Sequence, residues 1–246
     1  MIRTVEASWL RDRLGEPGLT LIDPRSRMRY LSGHPPTAIS VPARAAFGAD
    51  GRLRDDDDLA GWLGGLGVAA EGTAVLYADA DGQPGALLAW ILAYLGHPDV
   101  VFLSTRFERW REEGGQLSYR PLTATPVTFM AKPVPELRAG AADILNWASE
   151  TADLQLIDTR TEEEFSGDKT LGEDPPGHIP GAGNLPHRSF LGDGASLLAS
   201  PEELTGRLKD LGADLITETI VYCRSGIRAS VAWLALRLAG APVRLY

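Results

Sequence analysis

Short apolar runs alternate with longer helical patterns along the whole chain. Two of these runs, TAVLYA at 73–78 and TIVYC at 219–223, are rich in β-branched and aromatic residues, as β-strands are. Each is followed by a short loop and then by a stretch with the apolar spacing of an amphipathic helix. Strands that alternate with helices in this way predict an α/β fold, in which a mostly parallel sheet is flanked by helices.

Three blocks of the sequence occur twice, in the same order, and predict a duplicated domain. Each copy has a strand that ends in Asp-x-Arg, a Gly-His-x-Pro turn with a second short strand, and a third strand with its loop and helix. The matched pairs are LIDPR at 21–25 with LIDTR at 156–160, GHPPTAISVP at 33–42 with GHIPGAGNLP at 177–186, and segment 74–97 with segment 219–240.

The positions of these blocks predict one domain at residues 1–120 and a second at residues 138–246. The stretch between them, 121–137, contains four prolines and has weak periodicity. We therefore expect it to be an interdomain linker.

Composition excludes several classes of function. The formal net charge of −9 argues against binding of nucleic acid through a basic face. No apolar run approaches the ~18 residues that a membrane span needs, and the first 30 residues are too charged for a secretory signal. We therefore expect a cytoplasmic protein without membrane contact. The single cysteine excludes an intramolecular disulfide and a cysteine-based zinc site.

That single cysteine, Cys223, directly follows a predicted strand, where ligands bind in parallel α/β domains. A helix predicted to start near Ala229 directs its N-terminus at the loop, and Arg224 and Arg228 add positive charge. Gly226 allows the loop to turn tightly. We expect a reactive thiolate that doubles as part of an anion-binding loop.

The first copy differs at the matching place. After Tyr77 it has Ala78, in a stretch ADADGQPG with two acids and no arginine. Packing alone therefore does not require a cysteine there. We expect the first domain to be catalytically silent and the second to be active.

Together, LIDTR at 156–160, GHIPGA at 177–182 and YCRSGIRAS at 222–230 resemble the motifs of tandem-domain rhodaneses, or thiosulfate sulfurtransferases. The resemblance extends from about residue 3 to residue 246. It implies two rhodanese-like domains and a ping-pong transfer of sulfane sulfur from thiosulfate, through a Cys223 persulfide, to cyanide or a thiol. The partners would be a small-molecule donor and acceptor, with a thiol protein as another acceptor. No organic cofactor and no metal are implied.

The resemblance also implies roles for the loop. Arg224 and Arg228 would bind the anionic donor, while Ser225, Gly226 and Ile227 would supply backbone amides to the persulfide.

Outside the loop, the expected roles are supporting ones. Asp158 and Arg160 are expected to brace the loop from below, and His178 to stabilise a turn, because His34 holds the matching place in the silent copy. Many tandem thiosulfate enzymes carry a second substrate-binding arginine four residues after the first, where this chain has Glu164.

Three alternatives stay open. In the 3-mercaptopyruvate branch of the family the loop usually lacks arginines, so the loop arginines favour thiosulfate over mercaptopyruvate as donor. A cysteine phosphatase needs five residues between its cysteine and arginine, whereas four separate Cys223 from Arg228. The third alternative is a non-catalytic rhodanese-like binding module or a sulfur relay. The relay differs from the enzyme only in its acceptor, which the sequence does not specify.

Overall fold

The computed structural model describes residues 2–149, 153–170, 172, 175–192 and 196–246. The chain divides into two compact units. The first comprises Met1–Val134 with Gly194–Leu197, and the second comprises Pro135–Asp193 with Leu198–Tyr246.

The first unit is built on a five-stranded, fully parallel sheet of strand order β1-β5-β4-β2-β3. Its central strands β2, β4 and β5 are almost continuous apolar runs, as strands covered on both faces are. The strands are β1 Ile2–Val5, β2 Leu19–Asp23, β3 Ile39–Ser40, β4 Thr73–Leu76 and β5 Asp99–Leu103.

In the described part of this unit, five α-helices and one 3₁₀ turn accompany the sheet. Helix α4 has nine buried residues, because it is apolar on nearly every face. The elements are α1 Ala7–Arg11, α2 Arg27–Leu31, the 3₁₀ turn Ala43–Ala46, α3 Asp56–Gly65, α4 Gln83–Tyr94 and α5 Phe107–Glu112.

The proline-rich stretch predicted as a linker contains a 3₁₀ turn at Pro135–Leu137. Residues 121–134, all of which the structure describes, contain no helix or strand. Their backbone nevertheless bonds to the first unit, since the Val127 amide donates to the Gly64 carbonyl at 2.9 Å. The Val134 amide likewise donates to the Tyr94 carbonyl at 2.7 Å.

The second unit has a four-stranded parallel sheet of order β7-β6-β8-β9. Its strands are β6 Gln155–Asp158, β7 Gly183–Asn184, β8 Thr219–Tyr222 and β9 Val243–Leu245. Its helices are α6 Ala141–Ala148, α7 Glu162–Ser166, the 3₁₀ turn His187–Phe190, α8 Pro201–Asp210 and α9 Ala229–Leu238. Parallel strands alternating with helices in both units confirm the predicted α/β fold.

The register of the second sheet places the candidate site. Asp158, the last residue of β6, lies opposite Tyr222, the last residue of β8. Both strands therefore end at the same edge of the sheet, and Cys223 is the first residue beyond it. Helix α9 follows the loop and is buried along most of its length, with Trp233 fully inaccessible. None of the helices in the described parts of the chain combines the length and the apolar character that a membrane span requires.

Candidate active site

The Cys223 loop turns directly into α9. Gly226 has φ +81°, a left-handed conformation that disfavours residues with a Cβ. The Ser230 amide donates to the Gly226 carbonyl at 2.8 Å, and the Ser230 hydroxyl donates to the Ile227 carbonyl at 2.7 Å. These bonds fix the loop to the first turn of the helix, with the half-buried Cys223 thiol at its start.

The backbone amides of this loop are available to an anion. Within the described parts of the chain, the amides of Ser225, Gly226 and Ile227 donate to no protein acceptor. Consecutive amides beside a helix N-terminus are the usual backbone means of holding a negative charge. Ser225 is exposed, whereas Gly226 and Ile227 are half-buried.

The two loop arginines have different surroundings. Arg224 is exposed, and its guanidinium lies close to Gly172. Arg228 is half-buried and forms a bidentate ion pair with Glu164, with Nη1–Oε2 at 2.5 Å and Nη2–Oε1 at 2.8 Å. Both of its terminal nitrogens thus donate to Glu164. The role of Arg228 in donor binding stays a prediction.

Two residues, Thr161 and Arg228, hold Glu164 in place. Its side chain is only 3% exposed, and it completes a capping box with Thr161 at the start of α7. The hydrogen bond from Arg228 lowers the pKa of Glu164 to about 2, so the carboxylate stays ionised at neutral pH. In return, Glu164 and, to a smaller extent, the neighbouring Cys223 raise the pKa of Arg228 above its ordinary value.

Asp158 and Arg160 form a buried ion pair beneath the loop. The Asp158 carboxylate, fully buried, accepts bonds from the Arg160 backbone amide at 2.9 Å and from its Nη2 at 2.7 Å. Arg160 Nη2 also donates to the Gly177 carbonyl at 2.7 Å. The pair thus connects the end of β6 to the Gly-His turn.

Tyr222, the residue before the cysteine, joins the same arrangement. Its hydroxyl oxygen accepts a bond from the Ile179 amide at 3.2 Å. Burial first, and then the Asp158 charge, raise the pKa of Tyr222 well above its usual range, so the ring stays neutral. Arg160 and Tyr222 are therefore each bonded to the turn, at Gly177 and Ile179 respectively.

His178 is exposed and contacts Phe165. Its Nδ1 donates to the Phe165 carbonyl at 2.8 Å, and the two rings stack at 3.5 Å between centroids. In the first unit, His34 makes the same bond to the Tyr30 carbonyl, also at 2.8 Å, and stacks on Tyr30 at 3.7 Å. A contact that both copies share fits a role in holding the turn.

The first unit repeats the brace without the thiol. Asp23 pairs with Arg25 and accepts a bond from the Tyr77 hydroxyl, and Arg25 Nη2 donates to the Gly33 carbonyl at 2.8 Å. Ala78 stands where the second unit has its cysteine, and its carbonyl accepts the Phe107 amide at 2.9 Å.

A family model for the rhodanese-like domain matches the chain twice, at residues 6–113 and 141–246. The chain belongs to the rhodanese family. The two matches confirm the resemblance drawn from the motifs and the prediction of two rhodanese-like domains.

Relatives and solved structures agree with this assignment. The chain is 31% identical to a thiosulfate sulfurtransferase of Corynebacterium glutamicum, over 96% of this chain and 81% of that protein. It is 28% identical to the sulfur carrier protein TtuD of Thermus thermophilus, over 97% and 88%. It is also similar to the crystal structure of SseA from Escherichia coli, described as a 3-mercaptopyruvate sulfotransferase. That match has 26% identity and a TM-score of 0.89, and covers 100% of this chain and 98% of SseA.

Two residues of this rhodanese site were not predicted as part of it. Glu164 was noted only as a departure from the family pattern, and its bond to Arg228 spans 64 positions. The acidic run TEEEF at 161–165 and the two arginines of the Cys223 loop were the sequence features that could have indicated this ion pair. Tyr222 was assigned only to a strand, although the matched Tyr77 in the other copy marked the position. Among the described residues, no group of three or more His, Cys, Asp or Glu side chains is placed to hold a metal ion.

Proposed function

We propose that this chain is a sulfurtransferase that takes sulfane sulfur from thiosulfate onto Cys223 and passes it to a thiophilic acceptor, such as cyanide or a thiol. One observation carries the proposal. The single thiol of the chain lies at the carboxyl end of a parallel strand, in a loop with three amides that have no acceptor among the described residues and with two arginines. Curated relatives named as thiosulfate sulfurtransferases support the reaction class.

The chemistry proceeds in two displacements. The Cys223 thiolate attacks the outer sulfur of thiosulfate and forms a Cys–S bond. The bond between the two sulfur atoms of thiosulfate breaks, and sulfite leaves with the electron pair. An acceptor such as cyanide then attacks the outer sulfur of the persulfide, the S–S bond breaks, and thiocyanate and the thiolate result. No net oxidation or reduction of the protein occurs over the cycle.

The loop supports both displacements electrostatically. Negative charge moves from the cysteine sulfur to the terminal sulfur of the persulfide and back. Fixed amides of Ser225, Gly226 and Ile227 stabilise that charge without reorganising. Arg224 attracts the anionic donor to the exposed side of the loop.

A second donor, 3-mercaptopyruvate, has a specific observation in its favour. Glu164 neutralises Arg228, which leaves the loop less positive than the sequence suggests. A donor with a single negative charge depends less on a strongly basic loop than the doubly charged thiosulfate does. The likeness to SseA, described as a 3-mercaptopyruvate sulfotransferase, agrees with this alternative. The Thermus relative named as a sulfur carrier likewise supports a protein thiol as an acceptor.

Steady-state production of thiocyanate from cyanide tests the proposal, with thiosulfate and mercaptopyruvate as separate donors. We expect parallel lines in double-reciprocal plots, as in ping-pong kinetics, and a higher kcat/KM with thiosulfate. Cys223→Ser should abolish thiocyanate formation and keep the circular dichroism spectrum. Residual turnover above about one hundredth of wild type would exclude Cys223 as the sulfur carrier. No turnover with either donor would assign the chain to a binding module.

A further inference from the structure

We propose that Glu164 determines the charge selectivity of the Cys223 loop, by neutralising Arg228 and so weakening the loop's preference for a dianionic donor over a monoanionic one. This inference rests on the proposed function, because donor selectivity presupposes sulfur transfer at Cys223.

The geometry of the Arg228–Glu164 pair shows that Glu164 neutralises Arg228 in the folded protein. Two parallel N–H···O contacts, at 2.5 and 2.8 Å, join the Arg228 guanidinium to the Glu164 carboxylate. Both side chains are largely removed from solvent, at 19% and 3% exposure. Ion pairs of this bidentate, partly buried kind are screened little by salt and keep a fixed orientation. Arg228, which interacts with Cys223 as well, therefore acts on the thiol as half of a neutral pair.

The two units use opposite polarity at this place. In the first unit, the residue four positions after the Asp-x-Arg arginine is Arg29, and it pairs with the loop acid Asp79. In the second unit the corresponding helix residue is Glu164, and it pairs with the loop base Arg228. A contact from this helix to the loop is thus common to both copies, whereas the sign of the charge on the helix is not. The residue at this helix position, Arg29 or Glu164, therefore changes the net charge of the loop that it contacts.

Stability of the fold alone does not explain why the second unit has an ion pair at this position. Arg228 is the N-cap residue directly before α9, where its positive charge meets the positive end of the helix dipole. An uncharged residue there would need no counter-ion at all. The chain instead retains a base beside the thiol and compensates it with a buried acid.

Coulomb's law gives a quantitative expectation for removing the acid. Glu164→Gln leaves Arg228 uncompensated and adds one positive charge near the thiol. The interaction with a bound donor is proportional to the donor's charge, so the logarithm of the effect on thiosulfate should be twice that on mercaptopyruvate. At low ionic strength we expect kcat/KM to rise about tenfold for thiosulfate and about threefold for mercaptopyruvate.

Glutamine is the appropriate substitution because it keeps the shape of the side chain and also serves in a capping box with Thr161. The matched control is Glu162→Gln, which removes an exposed charge from the first turn of the same helix. A double variant, Glu164→Gln with Arg228→Gln, removes both charges and restores the wild-type net charge of the pair.

The decisive readout is the ratio of kcat/KM for thiosulfate to that for mercaptopyruvate. This ratio is independent of the fraction of enzyme that is folded, since both donors meet the same molecules. We expect Glu164→Gln to raise it about threefold, Glu162→Gln to leave it unchanged, and the double variant to return it to within about twofold of wild type. An unchanged ratio in Glu164→Gln, or an equal change in the control, would overturn the proposal.

A second readout does not depend on sulfur transfer. Because Cys223 is the single cysteine of the chain, alkylation reports on one site. The ratio of its rate with iodoacetate to its rate with uncharged iodoacetamide measures the local potential, and any change in thiolate fraction cancels. Glu164→Gln should raise this ratio about threefold over wild type and over Glu162→Gln. If wild-type protein transfers no sulfur but this ratio rises, the proposed function fails while the electrostatic role of Glu164 stands. If transfer occurs and neither ratio changes, the inference fails by itself.

Discussion

Replacing Asp158 by asparagine removes the negative half of a fully buried ion pair. Asp158 is inaccessible to solvent, and the Arg160 side chain is 7% exposed. Oδ1 of asparagine can still accept the bond from the Arg160 backbone amide, which measures 2.9 Å in the wild type. The asparagine NH₂ group, however, would face the Arg160 nitrogens that now donate to Oδ2 at 3.0 and 2.7 Å.

The cost follows from these contacts. Removing one partner of a buried ion pair leaves the other charge uncompensated and typically costs about 3–5 kcal/mol. We expect Asp158→Asn to fall in this range, because the Arg160 guanidinium loses the carboxylate that accepts bonds from its Nε and Nη2 atoms. The loss is a large fraction of the ~5–15 kcal/mol that stabilises an ordinary domain. Asp158 lies opposite Tyr222, the last residue before Cys223. Loss of the Asp158–Arg160 pair should therefore slow alkylation of the Cys223 thiol or give it more than one rate.

Hydrogen exchange measured by mass spectrometry locates the loss. Peptides that cover β6 and β8 report on the second unit, and peptides that cover β2 and β4 report on the first. The matched control is Asp23→Asn, since Asp23 pairs with the 5% exposed Arg25 in the first unit. It should destabilise β2 and β4 by a similar amount and leave alkylation of Cys223 at the wild-type rate. A loss under about 1 kcal/mol in Asp158→Asn would refute the reasoning.

Three further predictions concern the loop and its ion pair with Glu164. Arg224→Ala should raise the KM for thiosulfate more than that for mercaptopyruvate, and equal increases would contradict a role for Arg224 in donor choice. Because the pKa of Glu164 is about 2 in the folded state, against 4.5 for an ordinary glutamate, its stabilising contribution is present above pH 4.5 and disappears as the pH falls through 2. Urea titrations should therefore show a steeper acid loss of stability in wild type than in Glu164→Gln, and equal slopes would contradict the pairing. Gly226→Ala should cost about 1–2 kcal/mol, because φ there is +81°, whereas Gly206→Ala in the exposed middle of α8 should stabilise by about 0.5–1 kcal/mol; melting temperatures that shift in the same direction would count against the loop geometry.

Local pattern was enough for the fold. The repeated blocks marked the strands that end at Asp23 and Asp158 and those that end near Ala78 and Cys223, because parallel strands read as short apolar runs. The start of α9 at Ala229 was predicted from the helical spacing that follows the loop. These features depend on residues close together in sequence.

The sequence did not predict the contacts of the candidate site that join residues far apart in the chain. The pairing of Glu164 with Arg228 joins α7 to the start of α9, and no spacing rule connects the two. The sequence shows the positive charge of Arg228 but not the carboxylate that pairs with it, and the role of Arg228 in donor binding stays a prediction. Tyr222 could be placed at a strand end, but its bond to the Ile179 amide depends on how the turn folds back.

The most direct test of the account is the intact mass of the protein after incubation with thiosulfate and removal of excess donor. The account predicts a gain of about 32 Da, one sulfur atom, localised to Cys223 and reversed by cyanide with release of thiocyanate. Cys223→Ser should show no gain. An unchanged wild-type mass with thiosulfate and with mercaptopyruvate, or a gain that persists in Cys223→Ser, would contradict the claim that this thiol carries the sulfur.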